Sequence, residues 1–306
     1  MPRSLLVVQR RAALAVFGLA AAWGAIGVIV RQVDLPAVAI VAARCWFAVL
    51  AIAAAYGVRR AVRGAPTPPV WPLPRVGLVV VLGLLLGVHW LCLAAAQQRA
   101  PIGTVLLLTY LAPVLVALLA PRVLGERVTQ VTYVAVGLAL LGTVLLARPE
   151  PGQGDGVALA VAAAITYAAI TLLSKRVVGV VGGVRLGFGQ LLVAGLALAP
   201  LAAGAPWGSL GADWWWLVLL GVVFTGVLGP LYLVLLDRLP ASTVGVLTYV
   251  EPASAVLFAW VFLGEVPSLL TLAGGTLIVV AGIMVVRATT RPTTAEGARV
   301  RDRAVR

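Results

Sequence analysis

Two charged side chains interrupt long apolar runs of the sequence, and both could bind a solute inside a membrane. Glu251 lies beside Pro252 about halfway along one apolar run, and Arg44 lies near the middle of another. A charge at the centre of a membrane helix costs roughly 2.5–3.5 kcal/mol on insertion scales, so few are retained without a role. Glu251 could bind a substrate cation or an exchangeable proton, or it could be a structural acid bonded to a neighbouring helix. Arg44 could anchor a substrate carboxylate or form an ion pair, with Glu251 as one candidate partner.

Prolines near the middle of two apolar runs predict interrupted helices. Pro113 lacks the N–H that would bond the carbonyl of Thr109, and Pro252 does the same to the carbonyl of Thr248. An unbonded carbonyl in hydrocarbon must face protein or a wet cavity. Such breaks favour a binding site near the membrane midplane, whereas the alternative is a simple kink, because prolines are ordinary in membrane helices.

Helix geometry ranks the neighbours of Glu251. On an uninterrupted helix, Thr248 and Ser254 share the general face of Glu251, whereas Tyr249 points nearly opposite. This arithmetic favours Thr248 and Glu251 as joint cavity-lining residues. The same run carries no second acid, so any acidic chemistry there belongs to Glu251.

Other polar and aromatic residues offer weaker signals. His89 could relay protons, because an imidazole exchanges them near neutral pH, or it could be a hydrogen-bonded packing residue. Three aromatic residues are candidates for cavity walls or for simple packing: Trp23, Trp90 and Tyr167. No metal-ligand cluster, Gly-rich phosphate loop or nucleophile elbow stands out, so the sequence predicts neither a metal nor a cofactor and disfavours an enzyme.

The composition excludes a water-soluble domain. Of the 306 residues 62% are hydrophobic and only 11% are charged, whereas soluble domains carry about 25% charged residues. The net charge of +13 would suit nucleic acid, but the arginines lie in short stretches between apolar runs, which disfavours a nucleic-acid partner. Cys45 and Cys92 lie inside apolar runs and indicate no disulfide framework. The expected surroundings of the chain are a lipid bilayer.

Ten apolar segments have the length of a membrane span, so the predicted fold class is all-α, with ten transmembrane helices. They cover residues 11–31, 35–58, 76–97, 101–120, 128–147, 156–174, 184–204, 213–236, 240–262 and 267–287. The first run is too long for the apolar core of a signal peptide, and we expect it to be retained. The basic loop 59–75 and the tail 288–306 are expected to be poorly ordered.

The distribution of basic residues predicts the orientation. If the N-terminus is cytoplasmic and the spans alternate, nineteen of the 23 Lys and Arg residues lie on the cytoplasmic side. The positive-inside rule requires this asymmetry, so both termini are expected to be cytoplasmic. The run Trp214–Trp216 then lies at the outer interface. The chain is expected to cross the membrane many times.

The two halves of the sequence repeat each other. A shift of 139 residues aligns 99–132 with 238–271 without a gap, and fourteen of these 34 positions are identical. Because each copy holds five spans, the second copy would enter the membrane inverted, an arrangement found in secondary transporters. We therefore divide the chain into a cytoplasmic N-terminus, a first repeat, a linker, an inverted second repeat and a basic cytoplasmic tail, at residues 1–10, 11–147, 148–155, 156–287 and 288–306.

Two repeated details concern packing. Glu126 and Glu265 each follow Leu-Gly at the expected membrane surface, where an acid can cap the N-terminus of the next helix. We interpret both as structural. Gly83 and Gly87 have GxxxG spacing, which permits close helix packing but is common in apolar segments.

These residues resemble the EamA-like, ten-helix branch of the drug/metabolite transporter superfamily over about residues 11–287. The resemblance is carried by Trp23-Gly24, by Arg44 and by two matching runs, Thr109-Tyr110-Leu111-Ala112-Pro113 to Glu126 and Thr248-Tyr249-Val250-Glu251-Pro252 to Glu265. It implies a carrier of the bacterial inner membrane, with alternating access around a central cavity and without ATP. By motif position it also makes Tyr110 and Tyr249 candidate site residues.

The predicted function is a secondary transporter, an exporter or facilitator of a small metabolite such as an amino acid or a toxic organic compound. The alternatives are a non-transporting membrane scaffold or lipid-handling subunit and, less favoured, an intramembrane enzyme. The expected partners are a small-molecule substrate and the bilayer. Small-residue helix faces suit packing within one chain as well as a homodimer, so the oligomeric state stays open.

Overall fold

In a computed structural model, the chain is described over residues 3–30, 32–63, 73–97, 99, 105, 108–146, 154–264 and 266–288. Within these ranges all regular structure is helical. Eight helical stretches are long and apolar enough to cross a membrane, and two apolar helices are shorter. The shorter helices lie in the predicted fourth and fifth spans, and residues 101–104 of the fourth span lie outside the described ranges.

Thirteen α-helices are present in the described residues, and several predicted spans consist of more than one helix. They are α1 (Arg3–Trp23), α2 (Ile26–Val30), α3 (Ala37–Arg63), α4 (Leu73–Gln97), α5 (Ala112–Leu124), α6 (Gln130–Leu146), α7 (Gly154–Val181), α8 (Gly183–Ala202), α9 (Trp214–Leu219), α10 (Leu228–Arg238), α11 (Ala241–Thr248), α12 (Val250–Leu263) and α13 (Leu269–Ala288). A π-helical segment, Leu220–Val227, joins α9 to α10, and a 3₁₀ turn, Trp207–Leu210, precedes α9.

Two helices extend further than the sequence predicts. Helix α1 begins at Arg3 rather than at residue 11, and α3 continues to Arg63. The start of the loop that was expected to be poorly ordered is therefore helical. Arg59 and Arg60 are exposed there, and long basic side chains can reach polar surroundings while their stems stay on an apolar helix. Residues 64–72 and 289–306 lie outside the described ranges.

The outer surface of the helices is apolar. Leu50 is 60% exposed in the middle of α3, and Leu269 is 86% exposed at the start of α13. Large exposed apolar residues recur along most of the helices, including Leu14, Leu141 and Leu196. Exposing this apolar surface to water would be unfavourable, whereas contact with hydrocarbon is not. The exposed apolar face of each helix therefore suits contact with lipid.

Small residues hold the helices together. Gly83 and Gly87 both face α8, where a Cβ atom on Gly83 would meet Val193 and Gln190. Helices α6 and α13 meet at Gly142, where an added Cβ would lie 2.6 Å from the carbonyl oxygen of Gly274. Apolar side chains alone gain little from helix association in lipid, so close backbone approach supplies much of the attraction.

The repeat is visible at two helix ends. Gly125 after α5 and Gly264 after α12 both adopt positive φ, at 67° and 70°, and their positions differ by the repeat shift. A left-handed residue ends a helix without strain only when it has no Cβ, which explains the glycine of each Leu-Gly-Glu motif. The following helices are capped alike, because Thr129 accepts from the N–H of Thr132 and Ser268 accepts from that of Thr271.

The α6–α13 contact predicts a difference between two glycines of one helix. Gly142→Ala should lower the free energy of unfolding by about 1–3 kcal/mol, because the methyl group would overlap the backbone of α13. Gly137→Ala on the same helix meets nothing within 4 Å, so it should be neutral or raise stability by up to about 1 kcal/mol. Thermal unfolding of both variants in one detergent measures the difference, and equal melting temperatures would contradict this packing.

Candidate functional site

Two helix breaks lie at equivalent positions of the two repeats. Tyr249 separates α11 from α12, and Tyr110 with Leu111 precedes the start of α5. Pro113 and Pro252 lie in the first turns of the helices that follow. Backbone N–H groups in a first turn have no intrahelical partner, so the missing N–H of proline costs least there. In each repeat the helix is therefore interrupted just before the proline. The proline does not kink a continuous helix.

The two breaks contact each other. The rings of Tyr110 and Tyr249 lie 5.5 Å apart, and the hydroxyl of Tyr249 donates to the carbonyl oxygen of Tyr110 at 2.6 Å. Gly245 of α11 packs against Pro113, where an added Cβ would lie 3.3 Å from the proline ring. One tyrosine thus satisfies a carbonyl that the broken helix of the other repeat leaves free.

The break changes the ranking of residues that the sequence suggested. Thr248 is 1% exposed and donates to the carbonyl oxygen of Gly245 at 2.8 Å, so it lines no open surface. The helical-wheel arithmetic assumed one continuous helix, whereas α11 ends at Thr248 and α12 begins at Val250. Ser254 is likewise engaged, since its hydroxyl donates to the carbonyl oxygen of Glu251.

Glu251 lies in the first turn of α12, and its side chain is half-buried. The hydroxyl of Tyr110 interacts electrostatically with its carboxyl group, and this interaction links the two repeats. Gly24, after the end of α1, lies against the backbone of Glu251, where an added Cβ would be 2.8 Å from the carbonyl oxygen. The absence of a side chain at Gly24 therefore lets α1 approach the acid closely.

Arg44 is also half-buried. We call Arg44, Glu251 and the side chains that interact with them the central cluster. The Nε of Arg44 donates to the hydroxyl of Thr225 at 3.0 Å, and its guanidinium lies 4.0 Å from the centre of the Trp90 ring. Thr225 belongs to the π-helical segment and donates in turn to the carbonyl oxygen of Leu220. Gly221 of that segment lies against the backbone of Arg44. A π-helical turn and a glycine thus bring a polar side chain to the arginine.

Arg44 and Glu251 interact electrostatically. Among the described residues, the contacts of the guanidinium are the hydroxyl of Thr225 and the ring of Trp90 rather than a carboxylate. Of the two pairings that the sequence left open, a direct ion pair between Arg44 and Glu251 is therefore absent from this conformation. Both charged groups keep polar atoms that a bound solute could contact.

His89 is engaged in packing. It is 6% exposed, and its Nδ1 lies 2.9 Å from the carbonyl oxygen of Ala163. A carbonyl only accepts, so Nδ1 carries the proton and the ring ties α4 to α7. Its ring also stacks on Tyr167, with 5.3 Å between the ring centres.

The remaining aromatic residues form a connected wall. Trp23 donates from its indole to the carbonyl oxygen of Phe224 at 3.1 Å, and its ring lies 5.5 Å from that of Tyr232. The hydroxyl of Tyr167 interacts with those of Tyr232 and Thr248. The predicted residues that remain partly exposed are Trp23, Arg44, Trp90, Tyr167 and Glu251, and those that are buried are His89, Thr109, Tyr110, Thr248 and Tyr249.

Thr225 and Tyr232 were not among the residues that the sequence singled out. Each is a polar residue within the apolar span 213–236, which is the signal that could have found them. Thr109 presents the opposite case. Of the buried side-chain atoms in the described ranges, its Oγ1 is the one without a hydrogen-bond partner, and a buried hydroxyl without a partner costs about 1–3 kcal/mol. This hydroxyl lies directly before the break at Tyr110.

Glu126 caps a different helix from the one expected. Both oxygens of its carboxylate accept from the N–H of Ala241, at 3.0 and 2.8 Å. Ala241 begins α11 in the other repeat, whereas α6, the next helix along the chain, is capped by Thr129. The carboxylate therefore caps a helix of the other repeat. Glu265, its counterpart, lies outside the described residues.

Two basic residues of α7 strengthen the same junction. The ammonium of Lys175 donates to the carbonyl oxygens of Leu236, Asp237 and Leu239, at 2.6, 3.0 and 2.8 Å. Arg176 donates from two nitrogens to the carbonyl oxygen of Val123, at 3.0 and 2.6 Å. We call Glu126, Lys175, Arg176 and the backbone groups they bond the junction latch. It joins the end of α5 to the α10–α11 turn.

The structure offers no metal site within the residues it describes, because no three His, Cys, Asp or Glu side chains there form a group that could hold an ion. The central cluster contains one acid and one histidine. Its chemistry is that of a polar, aromatic-lined binding region.

Comparisons with known proteins agree on one kind of molecule. The model of the EamA-like transporter family matches the chain twice, at residues 10–148 and 155–287. A probable terminal-alkyne amino-acid exporter of Streptantibioticus cattleyicolor is 30% identical over 78% of this chain and 78% of its own length. The pseudopaline exporter CntI of Pseudomonas aeruginosa is 29% identical over 69% of this chain and 75% of its own length.

A third relative and a solved structure extend the comparison. The threonine/homoserine exporter RhtA of Salmonella typhimurium is 30% identical over 55% of this chain and 57% of its own length. A protein of known crystal structure superposes with a TM-score of 0.74 and 22% identity, over 92% of this chain and 99% of its own. At that identity the superposition shows a shared fold and no more.

The contact between the two breaks predicts a cost for losing one hydroxyl. Tyr249→Phe should lower the free energy of unfolding by about 1–3 kcal/mol, because the carbonyl oxygen of Tyr110 would stay buried without its partner. Tyr133→Phe is the matched control, since Tyr133 is 42% exposed on α6. Thermal unfolding in detergent compares the two variants. If both melt at the parent temperature, the hydroxyl does not hold the breaks together.

Proposed function

Because this chain belongs to the EamA-like transporter family, we propose that it is a secondary transporter that exports a small metabolite or facilitates its passage. The family match confirms the resemblance found in the sequence. Together with eight apolar helices of spanning length, it makes the chain a multi-pass protein of the cell membrane. Its substrate is a small molecule, as for its relatives, and we assign it no enzymatic activity and no nucleic-acid partner.

The observation that carries this proposal is the pair of unlike charges at the centre of the cluster. Arg44 and Glu251 are both half-buried, and each is held by neutral groups rather than by the other. A solute with a carboxylate and an ammonium group would satisfy both charges at once. Trp23, Trp90 and Tyr167 supply apolar walls of the kind that small-molecule sites use. An amino acid is the simplest solute of this description, and a charged toxic compound is the second.

The unpartnered hydroxyl of Thr109 supports the same location. A transporter gains from a polar atom that is unsatisfied without substrate, because the bound solute then recovers the cost of burying it. Helix breaks beside such an atom are also where transporters bind solutes. We therefore add Thr109 to Arg44 and Glu251 as a direct contact. Tyr110 and Tyr249 hold the breaks, and His89 packs α4 on α7.

We further propose ten membrane crossings with both termini in the cytoplasm. The distribution of basic residues supports this orientation. The two shorter helices, α5 and α6, belong to the spans that would complete the ten. In this arrangement the segments 11–147 and 156–287 are inverted repeats, and alternating access is a rocking of one repeat against the other. A homodimer is compatible with this scheme but is not required by it.

The junction latch suits one state of such a cycle, the state in which the cytoplasmic side is closed. Glu126 of the first repeat bonds the first N–H of α11 in the second repeat, and Lys175 bonds the carbonyls that precede α11. With the proposed orientation these groups lie at the cytoplasmic side. Opening the cavity to the cytoplasm requires the repeats to separate there, which breaks the Glu126 contact. The latch therefore favours the state that is closed to the cytoplasm.

The function is tested by screening a panel of metabolites and toxic compounds for altered export or resistance. Cells would express the parent, Glu251→Gln or an empty vector. We expect the parent to change the response to at least one compound, and Glu251→Gln to reduce that change tenfold or more, because one charge contact to the solute is lost. Asp155→Asn, an exposed acid at the start of α7, is the matched control and should behave as the parent.

Two results would contradict the proposal. If all four strains respond alike across the panel, the chain does not transport those compounds. If Glu251→Gln matches the parent in rate and in pH profile, Glu251 binds neither substrate nor proton. Proton coupling is tested separately, in proteoliposomes that contain a pH-sensitive dye. Glu251 is the acid of the central cluster that could carry the coupled proton.

The latch predicts a shift in accessibility. Thr171 of α7 is buried, and its hydroxyl lies 3.5 Å from that of Tyr232. Glu126→Ala should increase the labelling rate of a cysteine at this position by about tenfold or more from the cytoplasmic side, in a chain with Cys45 and Cys92 replaced. A charged hydrogen bond contributes about 1.5–3 kcal/mol, and its loss shifts a two-state ratio accordingly. Arg122→Ala, at an exposed position near the end of α5, is the control. Equal rates in the two variants would show that Glu126 does not bias the cycle.

A further inference from the structure

The π-helical segment Leu220–Val227 packs on the turn of α3 that carries Arg44. A Cβ atom on Gly221 would lie 3.1 Å from the carbonyl oxygen of Arg44, and one on Gly226 would lie 3.1 Å from the backbone of α3. Thr225 directly precedes Gly226 and is 3% exposed. Two glycines thus bring the segment close enough to α3 for a short polar side chain to reach the arginine.

The hydrogen bonds of Thr225 run in one direction. A hydroxyl group has one hydrogen to donate and two lone pairs that accept. Thr225 donates its hydrogen to the carbonyl oxygen of Leu220 at 2.8 Å, so its lone pairs are what it offers to Arg44. The Nε–H of Arg44 donates to this oxygen at 3.0 Å. The backbone of the π-helical segment therefore determines which edge of the guanidinium meets Thr225.

The wider turn of a π-helix makes this arrangement possible. In an α-helix a threonine hydroxyl bonds the carbonyl three or four residues earlier, whereas the carbonyl of Leu220 lies five residues before Thr225. The indole of Trp23 donates to the carbonyl oxygen of Phe224, the residue before Thr225, at 3.1 Å. The segment is therefore held from α1 as well as from α3.

The contact with Thr225 leaves one edge of the guanidinium for a ligand. Arginine has five N–H groups, one on Nε and four on the two terminal nitrogens. Nε is engaged by Thr225, and the Trp90 ring lies over the face of the guanidinium, 4.0 Å from its central carbon. In the described part of the chain the hydrogen bonds of the guanidinium end there. The edge formed by the two terminal nitrogens is thus left for a planar anion.

We propose that Thr225 is a positioning residue of the central cluster, which holds the two terminal nitrogens of Arg44 toward the solute and thereby selects a carboxylate over a neutral group. This inference rests on the proposed function, because it takes Arg44 as a contact of the substrate. The two oxygens of a carboxylate match two parallel N–H groups, whereas a carboxamide offers one oxygen and no charge. A guanidinium without a fixed orientation loses part of this match.

A purely structural role of Thr225 leads to a different expectation. If the hydroxyl only joins α3 to the π-helical segment, its loss destabilises the protein and weakens the binding of all ligands alike. A positioning role instead changes the ratio of the affinities for two ligands that differ only at the carboxylate. An amino acid and its own amide form such a pair, because both keep the ammonium group and the side chain.

The test measures binding of the proteinogenic amino acids and of their amides to the full chain in detergent. The rise of the melting temperature over a concentration series gives a Kd for each probe, and the melting temperature without probe reports stability. We expect the parent to bind at least one amino acid more tightly than its amide. Thr225→Val removes the hydroxyl and should lower this preference about tenfold or more, the factor that one hydrogen bond to a charged group contributes.

Three further variants separate the causes. Thr225→Ser keeps the hydroxyl and should retain the preference. Thr143→Val makes the same substitution at a buried position of α6, where the hydroxyl donates to the carbonyl oxygen of Ala139 on its own helix, and should keep the preference of the parent. Arg44→Gln should abolish the preference, because the charged group itself is lost. If Thr225→Val fails to fold, the comparison of Thr225→Ala with Thr225→Ser carries the test.

The outcomes distinguish this inference from the proposed function. An unchanged preference in Thr225→Val, or an equal loss of affinity for acid and amide, would overturn the positioning role while Arg44 stays a contact. A loss of preference in Thr225→Ser as large as in Thr225→Val would overturn it as well, because the hydroxyl would not be the group responsible. If Arg44→Gln keeps the preference of the parent, or if the parent binds no amino acid more tightly than its amide, Arg44 does not bind the carboxylate and both proposals fail.

Discussion

The hydrogen bond from the hydroxyl of Tyr249 to the carbonyl oxygen of Tyr110 joins two helices at the points where each is interrupted. A carbonyl freed by a helix break has no water to bond in hydrocarbon, so a partner must come from the protein. The two tyrosines are repeat equivalents, but the contact runs one way: a side chain of the second repeat completes the backbone of the first. The positions of Glu251 and Thr109 follow from this contact, since both lie beside a break.

The cluster around these breaks combines satisfied and unsatisfied polar groups. Tyr249, Thr248 and His89 have partners within the protein and hold helices together. Arg44 and Glu251 are half-buried, and the hydroxyl of Thr109 has no hydrogen-bond partner among the described residues. Groups of the first kind stabilise a fold, whereas groups of the second kind are retained at a cost and are suited to a ligand. This distinction is what separates the proposed contacts from the surrounding scaffold.

The features that the two repeats share build the fold, whereas the features in which they differ supply the chemistry of the proposed site. The repeated Leu-Gly-Glu motifs end helices in the same left-handed turn, and the caps at Thr129 and Ser268 match. At the centre the symmetry is lost, because the position of Glu251 in one repeat is occupied by Ala112 in the other. An acid on both sides would place two negative charges within one apolar enclosure, which costs more than either alone. A single acid together with Arg44 gives the proposed site one negative and one positive group instead.

The sequence by itself determined the solvent, the helical class and the repeat. Lipid as solvent follows from composition, and the repeat follows from proline and polar positions that composition alone would not match. Arg44 and Glu251 were found because a charge in an apolar run is expensive wherever the helix lies. Only the tertiary structure decided which of the candidates are open to a ligand, because that depends on what the neighbouring helices offer. The wheel argument for Thr248 assumed one helix where there are two, and the partner of Glu126 proved to be α11 rather than α6. Both outcomes depend on where a helix ends, because α11 stops before Tyr249 and α5 stops before Gly125, and the periodicity of a sequence does not record which neighbours the chain meets beyond such an end.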